Sequence, residues 1–195
     1  MKIGIEMNGV LRDTLKKIQE VYQKWYVDNP EESDFKYEIF SDLTTPNIME
    51  HLKFKDEDEL YNFLYKEFTM EIFGHSGSVE FTGMNDLNDF YVDMRELHEI
   101  FVVSDEIGKS KPASLFFLSK FGCLVENIKF YSESTTNLLW ESIDVLLTAN
   151  PTLLLNHPQN KTVIKFETIY NQNIDVKFSI KQIKDLKSQI ETIYA

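Results

Sequence analysis

Met1-Lys2-Ile3-Gly4-Ile5-Glu6-Met7-Asn8-Gly9-Val10-Leu11-Arg12-Asp13 opens the chain. Its first residues form a short apolar strand that runs straight into an acid, a polar residue two places on, and a glycine. Side chains alternate along a strand, so Glu6 and Asn8 fall on one face. A carboxylate and an amide therefore stand together where a strand gives way to a turn, the place where open α/β sheets bind their ligands. Taken alone, the same residues make an ordinary turn after a strand.

Working outward, five apolar runs rich in β-branched or aromatic residues read as strands: Lys2–Ile5, Glu99–Ser104, Asn127–Ser132, Asp144–Thr148 and Thr162–Phe166. Several are continuously apolar, as expected of parallel strands covered on both faces. Helical patterns separate most of them. Ser114–Phe121 opens after Pro112 and stops at Gly122, and Thr135–Ile143 follows the third strand. Ser179–Tyr194 closes the chain, with Ser179 and Gln182 spaced as a capping box and Ile180, Ile183, Leu186 and Ile190 as its buried stripe. The alternation predicts an α/β fold, a parallel sheet flanked by helices.

The first two strands are far apart in sequence. Between them Leu15, Ile18, Val21, Tyr22 and Trp25 form one amphipathic face, Leu60, Phe63, Leu64 and Phe68 another, and Asn85–Leu97 a third helix. Loop-forming residues gather in Asn29–Thr45 and Gly74–Gly83. The expected organisation is a core from residues 1–14 and 96–195, interrupted by a mostly helical insertion over 15–95.

Bulk properties exclude several classes. A hydrophobic share of 43% with 15 Phe and 9 Tyr in 195 residues is enough for a substantial core. A net charge of −12, with arginine only at Arg12 and Arg95, argues against a general nucleic-acid surface. No apolar run approaches the ~20 residues needed to span a bilayer, so no membrane segment is expected. Cys123 stands alone, which excludes an internal disulfide and fits a reducing cytoplasm. No charged-then-apolar leader precedes the first strand, so no secretory signal is expected. His51, His75, His98 and His157 are scattered without an i, i+4 pair, so a zinc site is not expected.

Glu6-Met7-Asn8-Gly9-Val10 resembles the first motif of the haloacid dehalogenase-like (HAD) phosphohydrolases, Asp-x-Asp-Gly-Val or Asp-x-Asp-Gly-Thr, with Glu6 and Asn8 in place of both aspartates. The chain is similar to small phosphatase or nucleotidase-like members encoded by phages. The resemblance implies a Rossmannoid HAD-like sheet with a helical cap inserted after the first strand. It places Glu6 where the family's nucleophile stands and Asn8 where its acid–base residue stands. Ser104 occupies the place of the second-motif hydroxyl. The third-motif lysine is Lys109, by likeness of Gly108-Lys109-Ser110-Lys111-Pro112 to Gly-Lys-Pro-x-Pro, or Lys111, by a simple Lys-Pro match. Glu133, after the next strand, takes the place of the fourth-motif acid. Mg²⁺ would then be held by Glu6, the Asn8 carbonyl and Glu133. Apart from the resemblance, Arg12, just after the first motif, is placed either to clamp a substrate anion or to serve as a helix-capping or surface arginine. The second and third motifs lie almost adjacent, where many members insert another strand and helix. Either that unit is missing or a different serine serves.

The substitutions bear on chemistry. Glu6 is longer than aspartate by one C–C bond, about 1.5 Å, and misplacing a reacting group by about 1 Å can cost ~10²-fold in rate. Asn8 has no proton to exchange, and lost acid–base help typically forfeits ~10²–10⁴-fold. The expectation is a HAD-like protein with impaired or absent catalysis, retaining a cleft for a small phosphorylated molecule or a protein partner, with Mg²⁺ held or lost. Two alternatives stand beside it. One is an active Mg²⁺-dependent phosphatase or nucleotidase of unusual motif. The other is a structural or interaction protein, such as a component of a phage particle. The expected location under every reading is the cytoplasm, that of the host if the chain is phage-encoded.

Overall fold

The computed structural model describes residues 1–29, 35–42 and 44–194. Part of the expected loop Asn29–Thr45 lies outside the described residues. Six strands form one sheet: β1 Lys2–Glu6, β2 Glu99–Asp105, β3 Asn127–Tyr131, β4 Val145–Thr148, β5 Thr162–Phe166 and β6 Phe178–Ile180. Their order is β3-β2-β1-β4-β5-β6, and every pairing is parallel. The chain builds outward from β1 through β2 to β3, then returns to lay β4 on the other flank of β1. The crevice between β1 and β4 is thus the switch point of the sheet, where ligands enter open α/β folds.

Burial explains the continuous apolar runs. Ile3 and Ile5 of β1, Ile100 and Val102 of β2, Val145 and Leu147 of β4 and Ile164 of β5 face one cluster. That layer is closed by α3 (Gly83–Met94), α4 (Ser110–Lys120) and α7 (Leu186–Tyr194). Phe101, Val103, Leu146 and Val163 point the other way, onto α5 (Thr136–Ser142) and α6 (Pro151–Leu155). Both faces are covered, so polar alternation has no place in the central strands.

The end of the chain departs from expectation. Phe178–Ile180 is a sixth strand against β5, and the Ser179 hydroxyl donates to Glu167 Oε1 at 3.1 Å instead of capping a helix. A 3₁₀ turn at Ile183–Asp185 then leads into α7. Ile180, Ile183, Leu186 and Ile190 are all buried as the stripe predicted. Elsewhere Gly122, with φ of +68°, ends α4: its N–H donates to Ser119 O and that of Cys123 to Leu118 O, the paired bonds of a Schellman cap.

Between β1 and α3 lies a second apolar cluster. α1 (Thr14–Tyr22) continues as a π-helical turn at Gln23–Val27, and α2 (Glu57–Asn62) as another at Phe63–Glu67, with a third at Met70–Gly74. Ile18, Val21, Tyr22, Leu52, Phe54, Phe63, Leu64, Ile72 and Phe73 pack together, joined by Ala113 of α4. A short antiparallel pairing, Phe40 N–H to His51 O and Lys53 N–H to Glu38 O, ties down the segment before α2. α3, within the expected insertion, packs Met84, Leu87, Phe90, Tyr91 and Met94 on the sheet side instead. Among the described residues no helix is long and apolar enough to cross a membrane.

Candidate functional site

β1 delivers Glu6 to the carboxyl edge of the sheet. The chain then turns tightly: Leu11 and Arg12 N–H donate to Met7 O, and Gly9 N–H donates to Arg12 O. Gly9 adopts φ of +74°, and a Cβ there would press on the Tyr170 hydroxyl and on Ala149. A side chain in the left-handed region costs about 1–2 kcal/mol before any clash. Gly9→Ala is therefore expected to lower unfolding free energy by at least about 2 kcal/mol, measured by urea denaturation. An unchanged midpoint would show that the turn and Tyr170 yield freely.

Glu6 is buried, and both carboxyl oxygens are engaged. Tyr131, reaching across from β3, donates to Oε1 at 2.7 Å, and Thr148 at the end of β4 donates to Oε2. Burial dominates its titration and raises the carboxyl to about 7, against the lowering effect of the Thr148 and Tyr131 hydrogen bonds. Thr148 Oγ1 also accepts from Asn150 N–H at 2.9 Å, so the hydroxyl is fixed toward Glu6.

Asn8 sits in a closed network. Its Oδ1 accepts from Arg12 Nη2 at 2.6 Å, from Arg12 Nε at 3.2 Å and from Thr14 Oγ1 at 2.7 Å, while its Nδ2 donates to Ser104 Oγ at 3.4 Å. Arg12 is fully buried and spends its other donors on Phe73 O at 2.8 Å, Ser114 Oγ at 2.6 Å and Glu106 Oε1 at 2.5 Å. Ser104 and Ser114 donate to that same Glu106 oxygen at 3.0 and 2.7 Å. Phe73 and Phe117 cover the guanidinium face, with ring centroids 5.1 and 5.5 Å away. Glu106 Oε2 is buried and has no hydrogen-bond partner.

Of the sequence-predicted residues, Glu6, Asn8, Ser104 and Arg12 come together. Arg12 is not presented to a substrate; it is the strut between the first turn, the Phe73 segment and α4. Lys109 and Lys111 are exposed at the entry of α4, with Lys111 Nζ 5.8 Å from the Phe130 ring. Glu133 is exposed after β3, and β2 separates β3 from β1. The strand beside β1 is β4, whose end supplies Thr148 and Asn150. A cleft of about 220 Å³ opens over Glu6, Asn8 and Gly9, walled by Tyr65 and Phe73 on one side and Asn150 and Tyr170 on the other.

Asp105 also lines this cleft and was not singled out from the sequence. It retains exposed surface, yet partial burial first, and then Glu106 and Glu133, hold its carboxyl up at about 6. The signal was its place in Ser104-Asp105-Glu106, one residue past the point where the strand was expected to stop. Among the described lining residues none is a lysine or arginine.

Mg²⁺ demands several oxygens at about 2.0–2.1 Å around one point. The set Glu6, Asn8 and Glu133 does not supply this, because Glu6 is turned onto Tyr131 and Thr148 and Glu133 faces solvent. Among the described residues no three of His, Cys, Asp or Glu are grouped to hold a metal. The residues present do not fit the ion.

A doubly wound parallel sheet with a second apolar cluster between its first two strands, and a polar turn after the first, is an α/β Rossmann-like fold that matches a HAD-like one. A solved structure of a protein described as a haloacid dehalogenase-like hydrolase, from Burkholderia xenovorans LB400, matches with a TM-score of 0.59 over 99% of this chain and 97% of that one, at 10% identity. No family model matches the sequence, and no curated protein does.

Proposed function

We propose that this HAD-fold protein does not hydrolyse phosphoesters, and that its cleft serves binding without Mg²⁺. The observation that carries this is the state of Glu6: it is buried, and each oxygen accepts a hydroxyl donor inside the protein, which pins the carboxyl and weakens it as a nucleophile. Each oxygen keeps a second lone pair, but hydrogen bonding draws charge from the carboxylate and burial favours its protonated form, and both lower its reactivity toward phosphorus. The cleft adds a second obstacle. An incoming phosphate meets Glu6 and Asp105 with no lysine or arginine among the lining residues, the reverse of the cationic clamp that stabilises phosphoryl transfer. Asn8 is committed to Arg12, Thr14 and Ser104 and carries no transferable proton. The proposed occupant is a ligand other than a free phosphate ester, or a protein partner reaching the cleft past the Phe73 side.

The test is an assay with Mg²⁺, p-nitrophenyl phosphate and nucleoside monophosphates across about pH 5–9. The expected rate equals that of buffer and of Glu6→Gln. Robust turnover that Glu6→Gln abolishes would overturn the proposal and restore the Mg²⁺-dependent phosphatase.

A further inference from the structure

A second cavity lies on the far side of the inserted segment and shares no lining residue with the Glu6 cleft. Its volume is about 660 Å³, within the range of small-molecule sites. Four aromatic side chains line it: Trp25, Tyr26, Tyr37 and Phe68. Trp25 and Phe68 are stacked, and Tyr26 stands steeply to Tyr37 and to Phe68. Trp25 lies over Phe68 with centroids 5.7 Å apart, Tyr26 meets Tyr37 edge-on at 4.6 Å, and Tyr26 meets Phe68 at 6.3 Å. Trp25 remains 45% exposed, although an indole is among the side chains most stabilised by burial.

The polar lining has one dominant sign. Among the described lining residues Asp56, Asp58, Glu59 and Glu67 face the cavity against one lysine, Lys55, which pairs with Glu59 at 3.6 Å. Glu67 accepts from the Tyr26 hydroxyl at 3.3 Å and Glu59 from that of Tyr37 at 2.5 Å, so two carboxylates are anchored on the aromatic wall. Their field reaches the rings: burial first, then Glu67 and Glu59, raise the Tyr26 phenol. The chain's own ammonium groups already lie against two of these rings, Lys24 Nζ 4.7 Å from the Trp25 centroid and Lys55 Nζ 5.6 Å from that of Tyr37. Aromatic faces backed by carboxylates attract cations and gain most from large, weakly hydrated ones.

We propose that this cavity is a binding site for a small organic ammonium ion, its charged head against Trp25, Tyr26 and Phe68 and balanced by Glu67 and Asp58. A phosphate or carboxylate ligand would meet repulsion here, and a neutral one would leave Asp58 and Glu67, unlike the Lys55-paired Glu59, without a counter-ion among the described residues.

The test titrates the full chain with choline, spermidine and 3,3-dimethylbutan-1-ol, the neutral isostere of choline, reading Trp25 fluorescence and calorimetric heat. Saturable binding of choline or spermidine is expected with Kd of about 1 mM or below. Choline alone would identify a quaternary head and spermidine alone a polyamine; either supports the site. Trp25→Leu and Glu67→Gln, both at half-exposed or exposed positions, should each weaken binding about tenfold, with folding checked by circular dichroism. Glu6→Gln should leave affinity unchanged, which separates this site from the cleft. The proposal is overturned by equal affinity for the neutral isostere, by no saturation with either cation up to about 10 mM, or by unchanged affinity in both variants.

Discussion

Arg12→Met is expected to cost about 3–5 kcal/mol of stability, lowering Tm by roughly 10 °C or more for a chain of this size. Methionine nearly fills the space but leaves Glu106 charged, wholly buried and without a counter-ion. It also strips donors from Asn8 Oδ1, Phe73 O and Ser114 Oγ, acceptors drawn from three distant stretches of sequence. Burial lowers the Arg12 pKa, and Glu106 opposes that effect, so the guanidinium depends on Glu106 to stay charged. Arg12→Lys should rescue little, because one ammonium cannot span the acceptors a planar guanidinium reaches. Arg12→Met combined with Glu106→Gln should recover part of the loss, since the second change removes the stranded charge. Urea denaturation of the two single variants and the double variant gives the coupling between the residues. A loss below about 1 kcal/mol in Arg12→Met would mean that water or another cation reaches Glu106.

The same strut marks the boundary of what the sequence makes legible. Five of the six strands follow from apolar runs, most nearly unbroken in the central β1, β2 and β4, because a parallel strand covered on both faces has no polar alternation to confuse. β6 was hidden. Phe178-Ser179-Ile180 is only three residues long, and Ile180 continues the spacing of Ile183, Leu186 and Ile190, so an edge strand reads as the first turn of a helix. The nearness of Asn8 to Ser104 was expected from the family resemblance and not from strand periodicity, and the two side chains do meet, at 3.4 Å.

Strand order was not legible. Apolar periodicity says that β4 is a strand, not that it flanks β1, and that adjacency is what sets Thr148 against Glu6. Tyr131 could be read as a core aromatic, but its reach across β2 to Glu6 depends on register. Arg12 carries no local sign of burial either, because its partners come from residues 73, 106 and 114. The local motif thus marked where a site would be. The contacts that occupy Glu6 and Asn8 arise only when distant segments close on it.

Glu6 gives the other large effect, and its sign runs opposite to that of an ion-paired carboxylate. Its ordinary value of 4.5 in the unfolded chain rises to about 7 in the folded protein. Between those values the folded state holds a proton that the unfolded state has released, so stability falls as pH rises through the window. The contribution is fully present below about pH 4.5, and by about pH 8 it has declined by roughly 3 kcal/mol. Asp105, raised for similar reasons, adds a change of the same sign, moderated by its exposure. Glu6→Gln imitates the protonated carboxyl: its oxygen still accepts from Tyr131, and its amide can donate to Thr148. The variant should match the native chain near pH 5 and exceed it by up to about 3 kcal/mol at pH 8, measured by urea unfolding at both. A stability difference that stays constant across that range would show that Glu6 is ionised in the fold at neutral pH, held by its two hydroxyl donors despite burial.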